Sequence, residues 1–549
     1  MRIALAQINT TIGALAENAA KIIAWIEKAR EQGAELVIFP ELTLTGYPPM
    51  DLLQMPHFVE AQLAELEAIT AQTFGMTVIL GCVQPNPESN GRELYNSAVV
   101  LSNGRFLSQH HKRLIPTYDV FDEARYFEPG RGYNAEEICG VSAGVTICED
   151  IWNDKDYWIK RRYEEDPVET FAARGVKMIH NISGSPFHIG KPAQRLEMLQ
   201  KIASKHNVWL SYCNLVGGND QLIFDGRSAV IAPDGSVRGL AKAFEEDLLV
   251  VDTEAVAEVP SFALPSMEQD AHDALVLGIR DYVGKCGFGN VLIGLSGGVD
   301  SALTCALAVE ALGADKVRGI AMPSPYSSGH SVEDAFALAA NLGIRIDKVE
   351  IAPMYEAYRK QLAPLVKREG PDDITVMEEN LQARIRGATL MALSNETGAL
   401  VLSTGNKSET AVGYSTLYGD MCGGLSAIGD APKTLVYRIC HWINRDKEKI
   451  PERTITKPPS AELRPGQLDE DSLPAYDKLD PIIQGYVEDN KSIETMVNEG
   501  HDEATVRRVV RMIDLNEYKR RQAAPILRIT HRAFGTGRQI PIAQRYRQT

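Results

Sequence analysis

Near the middle of the chain, a short glycine- and serine-rich stretch separates an apolar run from a run of strong helix formers. The stretch is Ser296-Gly297-Gly298-Val299-Asp300-Ser301; Val291–Leu295 precedes it and Ala302–Leu312 follows it. This pattern predicts a buried strand, a tight turn and a helix. Glycines allow the backbone to approach a ligand, and N–H groups at a helix N-terminus surround phosphate oxygens. We therefore predict a phosphate-binding loop, although the Gly-Lys-Ser/Thr ending of a Walker A loop is missing. The alternative is a glycine-rich helix entry without a ligand.

The residues after this loop continue to alternate between strand and helix patterns. Val317–Pro323 and Arg345–Ile351 are predicted strands, and Val332–Leu342 is a predicted helix between them. Strands and helices that alternate at this spacing predict a doubly wound parallel sheet, which binds ligands at the carboxyl ends of its strands.

The first half of the chain has a different pattern, in which helices and tight hairpins both connect the strands. Asn103-Gly104 and Asp234-Gly235 lie between apolar runs and predict hairpin turns. Mixed connections predict a mixed sheet covered by helices, so the chain is α/β in both halves. The proline-containing segment 259–266 is the predicted linker between an N-terminal domain, residues 1–258, and a C-terminal domain, residues 267–549.

Composition narrows the class of function. A net charge of −16 argues against binding of bulk nucleic acid or of an anionic membrane. No apolar run has the length of a transmembrane helix, and Met1–Gln7 enters a strand without the apolar core of a signal peptide. The eight cysteines are scattered and form no CxxC pair, so neither a disulfide framework nor a zinc site is expected. We expect a cytoplasmic protein.

Three stretches of the first half carry reactive side chains at the ends of apolar runs. Glu41 follows Phe39-Pro40, Lys112 follows His111, and Cys148 ends the run Gly144–Ile147. Hydrolysis of an amide needs a nucleophile that can carry an acyl group, a carboxylate that moves protons and a cation for the oxyanion. Taken singly, the cysteine would be a core residue, the lysine a solvated charge and the glutamate a turn residue.

Together these stretches resemble the nitrilase, or carbon–nitrogen hydrolase, superfamily. The resemblance implies an αββα sandwich with Cys148 as nucleophile, Glu41 as general base and Lys112 as the cation for the oxyanion. It also implies that Glu123 steadies Lys112. In relatives that use glutamine, the positions that hold the amino-acid end of the substrate correspond to Tyr118, Ser185 and Lys191.

Four stretches of the second half narrow the choice among enzymes with such a phosphate loop. They are residues 379–387, 400–409, 413–420 and 467–480. With the loop, they resemble the NAD synthetases, whose fold is similar to that of the adenine nucleotide alpha hydrolases. The whole chain thus resembles the glutamine-dependent NAD synthetase family. The resemblance implies that deamido-NAD, ATP, L-glutamine and water give NAD, AMP, pyrophosphate and L-glutamate, with Mg²⁺ as cofactor. It also implies that the reaction passes through an acyl-adenylate and that the ammonia comes from the glutaminase site. The protein is expected to be a homo-oligomer, at least a dimer.

The same resemblance assigns residues of the second half. Deamido-NAD is expected at Asn380, Glu409 and Lys519, and magnesium at Asp300 and Glu409. The expected ATP-binding residues are Gly294, Leu295, Ser296, Gly297, Gly298, Val299, Asp300, Ser301 and Thr404. Lys407 and Lys433 are candidate cations for the developing charge. Residues 450–467 are either a lid over the adenylate or a passive connection.

Three other functions remain open from the sequence. The first is an amide hydrolase regulated by a nucleotide-binding half, and the second is a non-catalytic assembly or sensor protein. The third is another amidotransferase with the same type of phosphate loop, such as a GMP or asparagine synthetase. The intact set Glu41, Lys112 and Cys148 argues against the second function, and segment 467–480 argues against the third.

Overall fold

The computed structural model describes residues 1–255, 263–366, 374–546 and 548, which form two compact units. The first unit comprises Met1–Pro265 and the second Ser266–Thr549. Residues 259–262 of the predicted linker lie outside the described residues. Because each unit has its own hydrophobic core, the two units are described separately.

Fourteen strands of the first unit form two six-stranded sheets and a separate hairpin. One sheet has the order β14-β1-β2-β3-β4-β5 and the other β13-β12-β9-β8-β7-β6, while β10 pairs with β11. The strands are β1 Arg2–Gln7, β2 Leu36–Ile38, β3 Thr77–Pro85, β4 Leu94–Ser102, β5 Arg105–His111, β6 Glu136–Ile138, β7 Val141–Ile147, β8 Met178–Ser183, β9 Trp209–Asn214, β10 Val216–Asn219, β11 Leu222–Asp225, β12 Ala229–Ile231, β13 Val237–Leu240 and β14 Asp247–Asp252.

Four helices cover the outer faces of the two sheets: α1 Leu15–Glu31, α2 Pro56–Thr70, α3 Pro167–Ala173 and α4 Lys191–His206. One buried cluster joins the two sheets and includes Ile38, Val145 and Ile182. Two others join α1 and α2 to the first sheet and α3 and α4 to the second. The predicted αββα sandwich with mixed sheets is therefore confirmed.

The hairpin predicted at Asn103-Gly104 is also present. Strands β4 and β5 pair antiparallel on either side of these two residues, whose φ angles are +49° and +74°. Two residues with positive φ make the two-residue turn whose twist matches that of the flanking strands, which favours Asn-Gly.

The second unit is built around five parallel strands in the order β17-β16-β15-β18-β19. The strands are β15 Val291–Gly294, β16 Val317–Ala321, β17 Arg345–Lys348, β18 Leu400–Ser403 and β19 Leu425–Ser426. The order reverses between β15 and β18, and a crevice for a ligand forms where a parallel sheet changes direction in this way. The predicted doubly wound parallel sheet is confirmed.

Helices of this unit pack around the sheet and form a second, helical core near the C-terminus. They are α5 Met267–Lys285, α6 Val299–Leu312, α7 Gly329–Leu342, α8 Ala352–Leu362, α9 Val376–Thr397, α10 Lys407–Val412, α11 Lys433–Ile443, α12 Glu452–Thr456, α13 Tyr476–Ile483, α14 Ile493–Asn498, α15 Glu503–Leu515 and α16 Glu517–Arg520. Leu479, Met496 and Val509 belong to the helical core. Within the described ranges, no helix is both long and apolar enough to cross a membrane.

A buried ion pair ties α4 to the hairpin of β10 and β11. Arg195 Nη1 and Nη2 donate to the two carboxylate oxygens of Asp225 at 3.0 and 2.6 Å, and Arg227 Nη1 lies 3.3 Å from Asp225 Oδ2. We predict that Asp225→Ala lowers the free energy of unfolding of the first unit by about 3–5 kcal/mol, because it leaves buried cations without their partner. Urea unfolding followed by tryptophan fluorescence measures this, since Trp25, Trp152, Trp158 and Trp209 of the five tryptophans lie in this unit.

A matched control lies on the exposed face of the same helix. Glu197 pairs with Lys201 at 2.6 Å, and both side chains are more than half exposed. Glu197→Ala is expected to leave the unfolding midpoint unchanged, because solvent screens such a pair. An equal effect of the two variants would contradict a structural role for Asp225.

Candidate functional sites

Cys148 lies at a sharp turn directly after β7. Its φ is +44°, and a short 3-10 helix, Cys148–Ile151, begins with it. Asp150 fixes this turn: its Oδ2 accepts from Ile147 N at 2.9 Å, and its Oδ1 accepts from Arg113 N and Leu114 N at 3.0 and 2.9 Å. The Asp150 carboxylate thus joins the turn to the segment that carries Lys112.

Lys112 is completely buried between two glutamates. Its Nζ donates to Glu41 Oε1 at 2.7 Å and to both carboxylate oxygens of Glu123 at 2.8 Å. Burial opposes the ammonium charge, but the carboxylates of Glu123 and Glu41 outweigh it and hold the pKa of Lys112 well above its usual value. Burial raises the pKa of Glu123. Lys112 is therefore a fixed, dry cation, and Glu123 is its partner as the sequence predicted.

Glu41 is equally buried, and it is held by Asn96 on β4 and by Gly184, which follows β8. Its Oε1 also accepts from Asn96 Nδ2 at 2.7 Å, and its Oε2 accepts from Gly184 N at 2.8 Å. Burial, together with the charge of Glu41, raises the pKa of the Cys148 thiol well above its usual value. Since a thiolate is the reactive form, this cysteine needs a base in its immediate surroundings.

The three residues predicted to hold glutamine lie around this cluster. Tyr118 OH donates to both carboxylate oxygens of Glu149 at 2.8 and 2.9 Å, next to Cys148 in the chain. Ser185 follows Gly184, and its backbone N–H donates to Asn214 Oδ1 at 3.0 Å. Lys191 begins α4 and donates to Pro186 O at 2.8 Å.

Sequence reasoning missed three polar neighbours of the cluster: Asn96, Glu149 and Arg162. Glu149 directly follows Cys148 in the chain, which was the only signal for it. The Arg162 guanidinium lies 3.7 Å over the Tyr118 ring. Asn96 gave no signal in the sequence.

The phosphate loop of the second unit borders a cavity of about 300 Å³ at the carboxyl ends of β15, β16 and β18. Gly297 does not line the cavity, but it needs to be glycine, because its φ is +76° and a Cβ would stand 2.1 Å from Ser331 O. The predicted ATP-binding residues that do line it are Gly294, Leu295, Ser296, Gly298, Val299, Asp300, Ser301 and Thr404.

Charged side chains meet at one side of this cavity. Lys433 Nζ lies 2.5 Å from Asp300 Oδ2 and 3.6 Å from Glu409 Oε1, and Asn406 Nδ2 donates to Asp300 Oδ1 at 2.9 Å. Burial and the charge of Asp300 raise the pKa of Glu409, and burial also raises the pKa of Asp469. One lysine thus contacts two carboxylates, and Asp469 lines the same cavity.

One predicted cation is wrong. Lys407 is completely buried and does not line the cavity; its Nζ instead contacts Asp430 at 2.9 Å and Glu488 at 2.7 Å. Lys407 Nζ also donates to Thr530 Oγ1 at 2.6 Å and to Arg532 O at 2.9 Å, so it ties α10 to a segment near the C-terminus and has a structural role. Lys433 does line the cavity.

Of the residues predicted for deamido-NAD, only Glu409 lines the cavity; Asn380 contacts a lining residue, and Lys519 contacts the two chain neighbours of the lining Tyr414. Asn380 Oδ1 accepts from the hydroxyl of Thr416, a lining residue, at 2.7 Å. Lys519 Nζ donates to the backbone oxygens of Gly413 and Ser415 at 2.7 and 2.8 Å.

Two further features of the cavity were not predicted in detail. Arg386 lines it and donates from Nε to Met322 O at 3.0 Å, and burial lowers the pKa of its guanidinium to about 10. The segment 450–467 contributes Thr454 and residues 457–463 to the lining. Its Glu462 accepts from the Ser331 hydroxyl at 2.7 Å, at the start of α7. The segment is therefore part of the cavity wall.

Models of two protein families match the two units. Carbon-nitrogen hydrolase matches residues 2–259, and NAD synthase matches residues 271–523. The glutamine-dependent NAD(+) synthetase of Synechocystis sp. is 46% identical over 99% of this chain and 99% of its own length. That of Thermotoga maritima is 42% identical over 100% of this chain and 99% of its own length.

Solved structures agree with these matches. The glutamine-dependent NAD+ synthetase of Acinetobacter baumannii, in complex with ADP, is 39% identical with a TM-score of 0.77, and the match covers 98% of each chain. The enzyme of Cytophaga hutchinsonii has a TM-score of 0.82 at 22% identity, over 99% of this chain and 98% of its own, and shows the fold alone. The chain belongs to the glutamine-dependent NAD(+) synthetase family.

Proposed function

We propose that this chain makes NAD from deamido-NAD, ATP and L-glutamine, and releases AMP, pyrophosphate and L-glutamate. One observation carries the proposal. A chain similar to glutamine-dependent NAD(+) synthetases over its full length combines the buried Glu41–Lys112–Glu123 cluster beside Cys148 with a cavity of about 300 Å³ at a phosphate loop. The cluster suits amide hydrolysis, and the cavity is of a size that holds a nucleotide.

In the first unit, Cys148 attacks the side-chain amide carbon of glutamine, and Glu41 takes the thiol proton. Negative charge develops on the amide oxygen, where the fixed ammonium of Lys112 stabilises the transition state more than the substrate. The C–N bond then breaks, and Glu41 returns the proton to the leaving nitrogen, which departs as ammonia. Water, activated by Glu41, hydrolyses the thioester to glutamate and frees the thiol. Tyr118, Ser185 and Lys191 hold the amino-acid end of the substrate.

In the second unit, the deamido-NAD carboxylate attacks the ATP α-phosphate, and pyrophosphate leaves. Ammonia then attacks the acyl carbon, AMP leaves, and the amide of NAD is formed. The loop Gly294–Ser301 and Thr404 hold ATP, while Asn380, Glu409 and Lys519 contact deamido-NAD. Lys433 lies beside Asp300 and Glu409 in the cavity, so its charge is available to the phosphates.

Magnesium fits the same carboxylates. Mg²⁺ is usually bound by one or two carboxylates plus substrate phosphates, and Asp300 and Glu409 supply two carboxylates beside the phosphate loop. When bound, the ion would neutralise phosphate charge.

The proposal also covers the cellular compartment of the enzyme and its macromolecular partners. All eight cysteines are unpaired thiols, which agrees with the reducing cytoplasm. We also propose a homo-oligomer, at least a dimer, on the basis of the family resemblance, and no nucleic-acid partner, because the net charge is −16.

The two-site account predicts that Cys148→Ala separates the two nitrogen sources. Glutamine-supported synthesis should fall at least about 1,000-fold, because the nucleophile is removed, whereas synthesis from added ammonium should persist. NAD formation is measured with each nitrogen source. Cys82→Ala, which removes a buried thiol from β3, is the control and should keep both activities. Loss of both activities in Cys148→Ala would contradict the account.

Asp300→Ala is expected to reduce synthesis from both nitrogen sources, unlike Cys148→Ala. It removes a carboxylate from the phosphate loop and leaves Lys433 without its nearest partner, so synthesis should fall at least about 100-fold with either nitrogen source. Glutamate release from glutamine shows that the first unit still functions. The exposed Asp315, in the short 3-10 helix Ala314–Lys316 after α6, provides the control Asp315→Asn, which should behave as wild type. Normal ammonia-dependent synthesis in Asp300→Ala would exclude the assigned role.

A further inference from the structure

The Glu41–Lys112–Glu123 cluster contains a fourth polar side chain, Asn96, to which no role is assigned above. Asn96 lies on β4 and is completely buried. Its Nδ2 donates to Glu41 Oε1 at 2.7 Å and lies 3.4 Å from Glu123 Oε2, while its backbone oxygen accepts from Lys112 N at 2.8 Å. One amide group thus bridges the two carboxylates that face each other across the lysine.

The other half of this amide is unsatisfied. Asn96 Oδ1 is buried and has no hydrogen-bond partner among the described residues. A buried, unpaired carbonyl costs about 1–3 kcal/mol. Turning the amide over would not remove this cost, because its oxygen would then face the carboxylates of Glu41 and Glu123. The amide is therefore held in one orientation by its N–H groups, at a cost that a purely apolar side chain would avoid.

The hydrogen bonds to the two carboxylates leave one acceptor position open. A carboxylate has about four lone-pair positions, two on each oxygen. On Glu123, Oε1 accepts from Lys112 and from Tyr47 OH at 2.9 Å, and Oε2 accepts from Lys112 and Asn96. On Glu41, Oε1 accepts from Lys112 and Asn96, and Oε2 accepts only from Gly184 N. Within the described part of the chain, the open position is on Glu41 Oε2.

The surroundings of Oε2 agree with this count. A Cβ on residue 184 would stand 3.1 Å from Glu41 Oε2 and 3.1 Å from the Tyr47 ring, which is tighter than an ordinary contact. Glycine at this position leaves space beside the one oxygen that can accept a proton.

We propose that Asn96 is a positioning residue that makes Glu41 Oε2 the acceptor of the Cys148 proton. Asn96 occupies one acceptor position on Glu41 Oε1 and one on Glu123 Oε2. The proton is therefore kept from these two oxygens, from which it cannot return to the leaving nitrogen. The proton passes from Cys148 Sγ to Glu41 Oε2, and the electron pair of the S–H bond stays on sulfur as the thiolate. The inference rests on the proposed glutaminase activity of the first unit.

The first test is Asn96→Leu, which keeps the size of the side chain and removes its donors. We expect the kcat for glutamate release from glutamine to fall about 10- to 100-fold, with KM unchanged. This loss is part of the ~10²–10⁴-fold rate enhancement that a positioned base contributes. Alkylation of Cys148 by iodoacetamide, followed by mass spectrometry, should slow by a similar factor. The control is Gln62→Met: Gln62 is also a buried amide with one unpaired atom, but it bonds Val83 N and none of the cluster. Equal kcat and equal alkylation in Asn96→Leu and the wild type would overturn the inference.

Asn96→Asp provides a readout that a merely structural role would not change. The new carboxyl group would face Glu41, Glu123, Lys112, Tyr47 and Cys148, and its like-charged neighbours favour the protonated form. Protonated, it donates an O–H in place of the amide N–H, so activity relative to wild type should be highest at low pH and fall as pH rises. A ratio of variant to wild-type activity that does not change with pH would overturn the inference. This test remains available if Asn96→Leu does not fold.

Measurements on the wild type distinguish a failure of this inference from a failure of the proposed function. Failure of the wild type to release glutamate from glutamine would contradict the proposed function. Alkylation of Cys148 needs no glutamine, so it still tests Asn96 in that case.

Discussion

The first unit is organised around a single buried charge, the ammonium of Lys112. A charge of this kind is strongly destabilising unless it is paired and hydrogen-bonded, and Glu41 and Glu123 supply both. Glu41 follows β2 and Glu123 follows β5, so the first sheet has to be assembled before the cluster exists. In the proposed function, the same arrangement that makes the charge tolerable also fixes it beside Cys148, where it stabilises the oxyanion without reorganisation. Stability and catalysis would then depend on the same contacts.

The second unit uses a similar arrangement for a different ligand. Lys433 is buried against Asp300 and Glu409, as Lys112 is against Glu41 and Glu123, but here the site borders a cavity. In the proposed function, the two carboxylates beside this cavity receive a metal ion with the nucleotide. Arg386 and the segment 450–467 complete the cavity wall.

Local patterns in the sequence predicted the parts of the structure that are themselves local. The strand–loop–helix around Asp300 and the Asn103-Gly104 hairpin each depend on neighbouring residues, and each is present. Contacts between distant residues were not predictable in this way. Asn96 reaches Glu41 across 55 residues, and Arg386 reaches Met322 across 64. Lys407 was misassigned because its polar turn follows a cavity strand, whereas its partner Glu488 stands 81 residues later. Family resemblance supplied the roles that periodicity alone could not.

The central claim is that the first unit supplies nitrogen to the second. The most direct measurement uses glutamine labelled with ¹⁵N at its amide, together with deamido-NAD and ATP, and determines the isotope in the carboxamide of the NAD formed. The account predicts that the label appears in NAD. It also predicts that one AMP and one pyrophosphate are formed for each NAD. NAD without the label, or glutamate release without any NAD, would contradict it.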